Sequence, residues 1–244
     1  MNEKQWFTSW FDTPYYHTLY KNRGEKEAKL FISTLVKQLN LSIDSKVLDL
    51  ACGKGRHSIT LNELGFNVLG ADLSFNSIQE AKKFENERLK FMVHDMREVI
   101  PNQTFDAVFN LFTSFGYFDS TAENETVLHS ISKMLNPKGI LVIDFFNALK
   151  VIKELVADEI KSIDGIDFHI RRNFDGTHIF KYIDFVENGE SFSFMERVQG
   201  LSVAEFKRLF AQTGFELIST FGDFHLNPFN EKDSNRLIMI AQKK

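Results

Sequence analysis

The sequence predicts an α/β fold: a doubly wound sheet of seven strands, with an antiparallel β insertion and an N-terminal helical cap. Three observations predict it. Short apolar runs alternate with amphipathic helical stretches between residues 40 and 150. The first run ends in a glycine-containing loop, and after residue 150 the runs are joined by Asp-Gly and Asn-Gly turns. Such alternation implies parallel β-α-β units with right-handed crossovers. Asp-Gly and Asn-Gly pairs between alternating runs are hairpin signals.

In chain order, Ala28, Phe31, Ile32, Leu35 and Leu39 recur on one face and predict a helix over 25–39. Val47-Leu48-Asp49-Leu50 reads as a buried strand within 46–51, followed by a helix over 57–64 closed by Gly65. A second strand is expected over 66–71, then a helix capped by Ser74 and reaching about Phe84. Third and fourth strands follow over 89–93 and, after the Pro101-Asn102 turn, 105–112. Val127, Leu128, Ile131, Met134 and Leu135 mark a helix that stops at Asn136-Pro137-Lys138-Gly139, and 140–146 is the most apolar strand. Strands this continuously apolar imply a sheet covered on both faces. Three antiparallel strands are expected over 168–174, 179–186 and 191–198, then a helix over 202–213 and strands over 215–221 and 236–241. One domain spanning 1–244 is expected, with its core at 40–150 and 201–244, a cap at 1–39 and the insertion at 151–200.

Of the 244 residues, 43% are apolar and 25% charged, an ordinary globular profile that excludes disorder and a small disulfide scaffold. Lys and Arg total 29 against 33 Asp and Glu, a formal charge of -4 that argues against a nucleic-acid partner, whose phosphates would need neutralising. Cys52 is the only cysteine, so no intramolecular disulfide or cysteine-cluster metal site can form. Residues 1–12 lack the apolar core of a signal peptide, and no uncharged apolar run approaches the ~20 residues needed to span a bilayer. A cytoplasmic protein with no membrane partner is expected. The pair His94-Asp95 has no second pair of ligands, so no metal is expected. The 26 phenylalanines read as core packing rather than as a fully aromatic binding cavity.

In an open parallel sheet, ligands bind beyond the carboxyl ends of the strands at the topological switch point. There the chain reads Asp49-Leu50-Ala51-Cys52-Gly53-Lys54-Gly55-Arg56-His57-Ser58. Gly53 and Gly55 permit a tight turn and close ligand approach, and the helix that follows aims free amides and partial positive charge at the same spot. A dinucleotide fingerprint would want a third small residue, usually glycine, where Ser58 stands, which weakens an NAD reading. Lys54 followed by Gly55 fits a phosphate P-loop poorly. The second strand leads to Asp72-Leu73, with Asp72 lying 72 − 53 = 19 residues past Gly53, where a carboxylate can accept both hydroxyls of a ribose. After the third strand, Asp95-Met96 suits an adenine, Asp95 taking the exocyclic amino group and Met96 packing on the ring.

These residues, in this order, resemble the class I S-adenosylmethionine-dependent methyltransferases, whose fold is Rossmann-like. Val47-Leu48-Asp49-Leu50-Ala51-Cys52-Gly53-Lys54-Gly55 is similar to the family's first motif, Asp72 to its ribose-binding acid and Asp95-Met96 to its adenine-edge pair. Phe105-Asp106-Ala107-Val108-Phe109-Asn110 looks like its fourth strand, Leu135-Asn136-Pro137-Lys138-Gly139-Ile140-Leu141 like its turn into the fifth, and Gly214-Phe215 like the entry to its sixth. Three further segments resemble small-molecule methyltransferases of the aminosugar N,N-dimethyl and glycine/sarcosine kinds. They are Tyr16-His17-Thr18-Leu19-Tyr20-Lys21-Asn22-Arg23-Gly24, Phe112-Thr113-Ser114-Phe115-Gly116-Tyr117, and the insertion ending at Arg197.

The resemblance implies an S-adenosyl-L-methionine cofactor held by Asp49, Ala51, Gly53, Gly55, Asp72, Leu73, Asp95, Met96 and, through backbone carbonyls, Asn110 and Leu111, with Tyr20 and Arg23 closing over it. It implies Tyr117 beside the transferred methyl, and Tyr16, His17, Arg197 and His225 as acceptor contacts. The acceptor is expected between the sheet's carboxyl edge, the amino-terminal helices and the insertion. The expected activity is methyl transfer to a small-molecule acceptor, an amine favoured, by a monomer or homodimer. Asn110-Leu111-Phe112-Thr113 has no Asn-Pro-Pro-Tyr-like signature, which disfavours DNA, RNA and protein-glutamine substrates. An NAD-dependent oxidoreductase and a non-catalytic S-adenosylmethionine-binding protein are the alternatives.

Overall fold

Residues 6–21 and 24–244 are described in the computed structural model. Two short helices, α1 (Trp6–Trp10) and α2 (Pro14–Leu19), precede α3 (Glu25–Leu39). Helix α2 starts where it does because Pro14 occupies its first position and the Thr13 hydroxyl accepts the Tyr16 amide. Next come β1 (Lys46–Leu50), α4 (Arg56–Glu63), β2 (Asn67–Asp72), α5 (Phe75–Ala81), β3 (Leu89–Val93), β4 (Phe105–Asn110), α6 (Thr121–Met134), β5 (Leu135–Phe146) and α7 (Ala148–Lys153). Four strands follow, β6 (Asp158–Ile163), β7 (Ile166–Phe174), β8 (His178–Glu187) and β9 (Glu190–Gln199). The chain ends with α8 (Val203–Gln212), β10 (Phe215–Phe221) and β11 (Arg236–Lys243).

The main sheet runs β10-β11-β5-β4-β1-β2-β3, and only β11 opposes its neighbours. Strand order reverses between β1 and β4, so the loops at their carboxyl ends part and leave a crevice. The strands are apolar throughout because both faces are covered. Phe105, Phe145, Phe206 and Phe210 pack with the buried faces of α6 and α8, while Phe31, Phe66, Phe91 and Phe109 pack with α3, α4 and α5. The second sheet, β6-β7-β8-β9, is antiparallel throughout. Its Phe168, Ile170, Ile183 and Phe185 form a third cluster with Trp10 and Leu19 of the cap. Among the described residues, no helix is long and apolar enough to cross a membrane.

Three local expectations change. The insertion has four strands rather than three. Strand β6 is an edge strand, mostly exposed and rich in charge, so it carries little apolar signal. Strand β5 begins at Leu135, paired with Phe105, and the Asn-Pro-Lys-Gly segment is an irregularity inside it rather than a stop before it. The helix expected to reach Phe84 ends at Ala81 and tightens into a 3-10 turn over Lys82–Phe84.

Candidate active site

The loop after β1 is fastened to β2 by its own backbone. The Ala51 and Cys52 amides both donate to the Ala71 carbonyl, at 2.7 and 3.1 Å. Ala51, Gly53 and Gly55 turn through the left-handed region, with φ of 65°, 55° and 83°. The two glycines serve different ends. A Cβ on Gly53 would meet no atom within 4 Å, so the backbone there opens onto empty space that a ligand can enter. A Cβ on Gly55 would fall 2.6 Å from the Phe91 ring, so this glycine is required by packing, and it does not line the cavity.

At the tip of β2, Asp72 Oδ2 accepts the Gly53 amide and Oδ1 accepts the Ser74 amide, both at 2.8 Å. Burial raises its pKa, and these two amides oppose that rise. Each carboxylate oxygen retains a further lone pair for a ligand hydroxyl. Asp72 sits on the edge of a cavity of about 570 Å³, a size suited to a nucleoside-bearing ligand. Ala51, Gly53, Leu73, Asp95 and Met96 line the same cavity, as do Tyr16, His17 and Tyr20 of the cap and Tyr117 after β4.

Two of these residues are already engaged. Asp95 accepts from Nε and Nη2 of Arg97, the latter at 2.6 Å, and from the Arg97 amide at 2.9 Å, which leaves less of it for an adenine than expected. The Tyr20 hydroxyl lies 2.7 and 2.8 Å from the two oxygens of Glu196, which also accepts Trp10 Nε1 at 2.7 Å. Lys181 joins this cluster through Tyr20 and, at 3.6 Å, through Glu196. Tyr20 therefore ties the cap to the insertion sheet.

Five expected contacts are not on the cavity surface. Asp49, 1% exposed, lies below the loop and accepts the Ser58 hydroxyl at 2.5 Å, and burial lifts its pKa to about 6. Gly55 packs on Phe91, as above. Asn110 is wholly buried and donates through Nδ2 to the Leu50 carbonyl at 3.1 Å, joining β4 to β1. Arg197 pairs with Asp119. His225 is exposed, its amide donating to Asp223 at 2.9 Å within a turn. Arg23 lies outside the described residues. No residue of 151–200 lines the cavity, because cap residues Phe7, Phe11, Asp12 and Lys21 take the place expected of the insertion.

Sequence reasoning missed several residues at the site. Asp12 accepts from the Ser74 hydroxyl and, at 2.6 Å, from Asn76 Nδ2, which ties the cap to the first turn of α5. His57, 7% exposed, lines the cavity, and burial and the neighbouring Arg56 hold its pKa at about 3, so the ring is neutral. Five phenylalanines, Phe7, Phe11, Phe75, Phe112 and Phe118, line the cavity as well, so not all of the phenylalanine excess is core. The residue types alone carried no signal for these roles, since a helix-start aspartate or an aromatic cap helix has many ordinary uses.

Comparison with known proteins follows the same lines. A family profile described as a methyltransferase domain matches residues 41–214. A putative methyltransferase, YqeM, of Bacillus subtilis is 29% identical over 216 residues, covering 84% of this chain and 87% of that one. A glycine/sarcosine N-methyltransferase of Halorhodospira halochloris is 28% identical over 238 residues, covering 92% of this chain and 84% of that one. Among solved structures, an S-adenosylmethionine-dependent methyltransferase from Clostridium acetobutylicum has the same fold, with a TM-score of 0.80 at 20% identity over 94% of this chain and 96% of that one.

Proposed function

The chain belongs to the methyltransferase-domain family, and from that premise we propose that it transfers a methyl group from S-adenosylmethionine to the nitrogen of a small-molecule amine. The observation that carries this reading is the Asp72 carboxylate, braced by the Gly53 and Ser74 amides on the edge of the cavity at the ends of the first parallel strands. Its remaining lone pairs fit ribose hydroxyls, Leu73 and Met96 supply apolar surface for an adenine, and the open face of Gly53 admits the sulfonium end. The likeness to a glycine/sarcosine N-methyltransferase supports an amine acceptor.

The bound donor supplies a methyl group already activated on sulfur, open to in-line displacement by a nitrogen lone pair. What remains for the chain is alignment and exclusion of water, and orientation can supply ~7–11 kcal/mol of such a barrier. Asp72 and the loop after β1 fix the nucleoside. The loop after β4, carrying Phe112 and Tyr117, forms the surface across the crevice, and the aromatic cap residues shed water from the space between.

The reading is tested by thermal-shift titration with S-adenosylhomocysteine and with NADH, followed by turnover on a panel of amines. Stabilisation by S-adenosylhomocysteine alone, roughly 2.7 kcal/mol at a hundredfold excess over Kd, together with donor-dependent amine methylation, is the expected result. Stabilisation by NADH instead would favour the oxidoreductase alternative. Binding of S-adenosylhomocysteine without any turnover across amines and phenols would favour a non-catalytic role.

A further inference from the structure

The cavity has a wall of four aromatic rings drawn from two distant stretches of chain. Phe7, Phe11 and Tyr16 come from the cap and Tyr117 from the loop after β4, and all four line the cavity. They touch in series. Ring centroids are 6.4 Å apart for Phe7 and Tyr117, 5.4 Å for Phe11 and Tyr117, and 4.9 Å for Phe11 and Tyr16. Phe7 lies in α1 and Phe11 in the turn just after it. The Tyr117 hydroxyl donates to the Thr113 carbonyl, which anchors the tip of its side chain.

One carboxylate stands beside this wall. Asp12, next to Phe11 in the chain, lines the same cavity. The cavity's own cations belong to other elements or are occupied. Lys54 and Arg56 come from the loop after β1 and the start of α4, with the Arg56 guanidinium 5.1 Å from the Phe112 ring, and Lys21 is paired with Asp164. His17 beside Tyr16 is held below its usual pKa by burial and by Lys54, and so is mostly neutral near pH 7.

A primary ammonium needs three hydrogen-bond acceptors when it leaves water; the ring carbons supply none, which leaves the tyrosine hydroxyls and an Asp12 that already accepts from Ser74 and Asn76. An N-alkylated amine needs fewer, and its methyl groups bury against the rings. Rings at this spacing also attract a diffuse, weakly hydrated cation. We propose that Phe7, Phe11, Tyr16 and Tyr117 form the acceptor subsite, that it selects secondary and tertiary amines over primary ones, and that quaternary ammonium compounds bind there as product-like ligands. This rests on the amine-methylating reading above and deepens it.

Three measurements on the full-length protein test the proposal, with S-adenosylhomocysteine affinity as a separate control on the donor site. Across one amine bearing zero, one and two N-methyl groups, kcat/KM should rise about fourfold per methyl. A quaternary trimethylammonium compound should compete with the acceptor about 2- to 30-fold better than its uncharged tert-butyl isostere. Phe11→Leu should weaken that charge preference by about twofold or more, three rings remaining, and Phe11→Trp should retain it, each variant's S-adenosylhomocysteine affinity being measured alongside. A primary amine preferred over its methylated forms, equal inhibition by the charged and uncharged isosteres, or an unaltered preference in Phe11→Leu would each overturn the subsite. Failure of S-adenosylhomocysteine to bind the unmodified protein would instead overturn the donor reading.

Discussion

Asp144 and Arg236 form an ion pair at 2.7 Å, with Asp144 wholly buried at the end of β5 and Arg236 opening β11. The pair holds the loop after β4 in an unusual shape. Phe112 and Thr113 are consecutive non-glycine residues with φ of 66° and 62°, a conformation costing on the order of 1–2 kcal/mol per residue. Asp144 Oδ2 accepts the Phe112 amide at 2.9 Å, its main-chain carbonyl accepts the Thr113 amide at 2.9 Å, and Arg236 donates to the Thr113 hydroxyl at 3.0 Å.

Removing Asp144 leaves the part-buried Arg236 guanidinium and the Phe112 amide without their shared acceptor and frees the strained loop. Asp144→Ala should therefore cost about 3–5 kcal/mol in denaturant unfolding and weaken binding of S-adenosylhomocysteine, because Phe112 and Tyr117 line the cavity from that loop. A loss below about 1 kcal/mol would mean that the loop holds its shape without the pair.

Asp72→Ala should raise the Kd for S-adenosylhomocysteine about 10- to 150-fold, the worth of hydrogen bonds from ribose hydroxyls to a charged group. Isothermal titration decides it, and an unchanged Kd removes Asp72 from the donor site.

Ser58→Ala should destabilise the fold by about 1–3 kcal/mol, because Asp49 beneath the loop loses the hydroxyl that solvates it. Neither residue lines the cavity, so acceptor KM should change little. A large KM effect at constant stability, read from paired unfolding and kinetic curves, would contradict a purely supporting role.

His57 makes stability depend on acid. Its pKa is about 3 in the fold against about 6.5 unfolded. Its contribution is thus complete above pH 6.5 and falls away below it, as the unfolded chain takes up a proton that the fold refuses. Between pH 7 and 5 the loss is about 2 kcal/mol. Asp49, raised to about 6, opposes it by about 1 kcal/mol over the same interval, because the fold keeps a proton that the unfolded chain releases. His57→Gln should therefore lose less stability than the parent on acidification from pH 7 to 5. Parallel unfolding curves for the two at both pH values would refute this.

Glu196→Ala should release the cap without unfolding the core, because this carboxylate anchors both Trp10 and Tyr20. Amide exchange should accelerate over residues 6–21 and stay slow in β1, β4 and β5. Uniform exchange throughout would show that the cap is held by its aromatic packing alone.

The order of strands, the glycine loop after β1 and the acid at the tip of β2 were legible in the sequence because each depends on a local cause. Apolar period selects strand or helix, positive φ selects Gly53, and a strand-helix-strand unit of set length brings Asp72 beside that loop. The exposed edge strand β6 escaped notice because a strand that buries little carries little apolar pattern. The partners of the polar groups were not legible. Asp144 and Arg236 stand 92 residues apart and Trp10 and Glu196 stand 186 apart, yet each pair meets within hydrogen-bond distance. Closing a long loop costs little more than closing a short one, so separation along the chain does not rank such partners. Sequence alone determined the sheet and the rim on which the cavity opens. Tertiary structure decided that Asp49 and Asn110 brace the rim from below, and that an aromatic cap rather than the insertion closes the cavity. Burial makes each polar group take whichever partner the finished topology brings within reach.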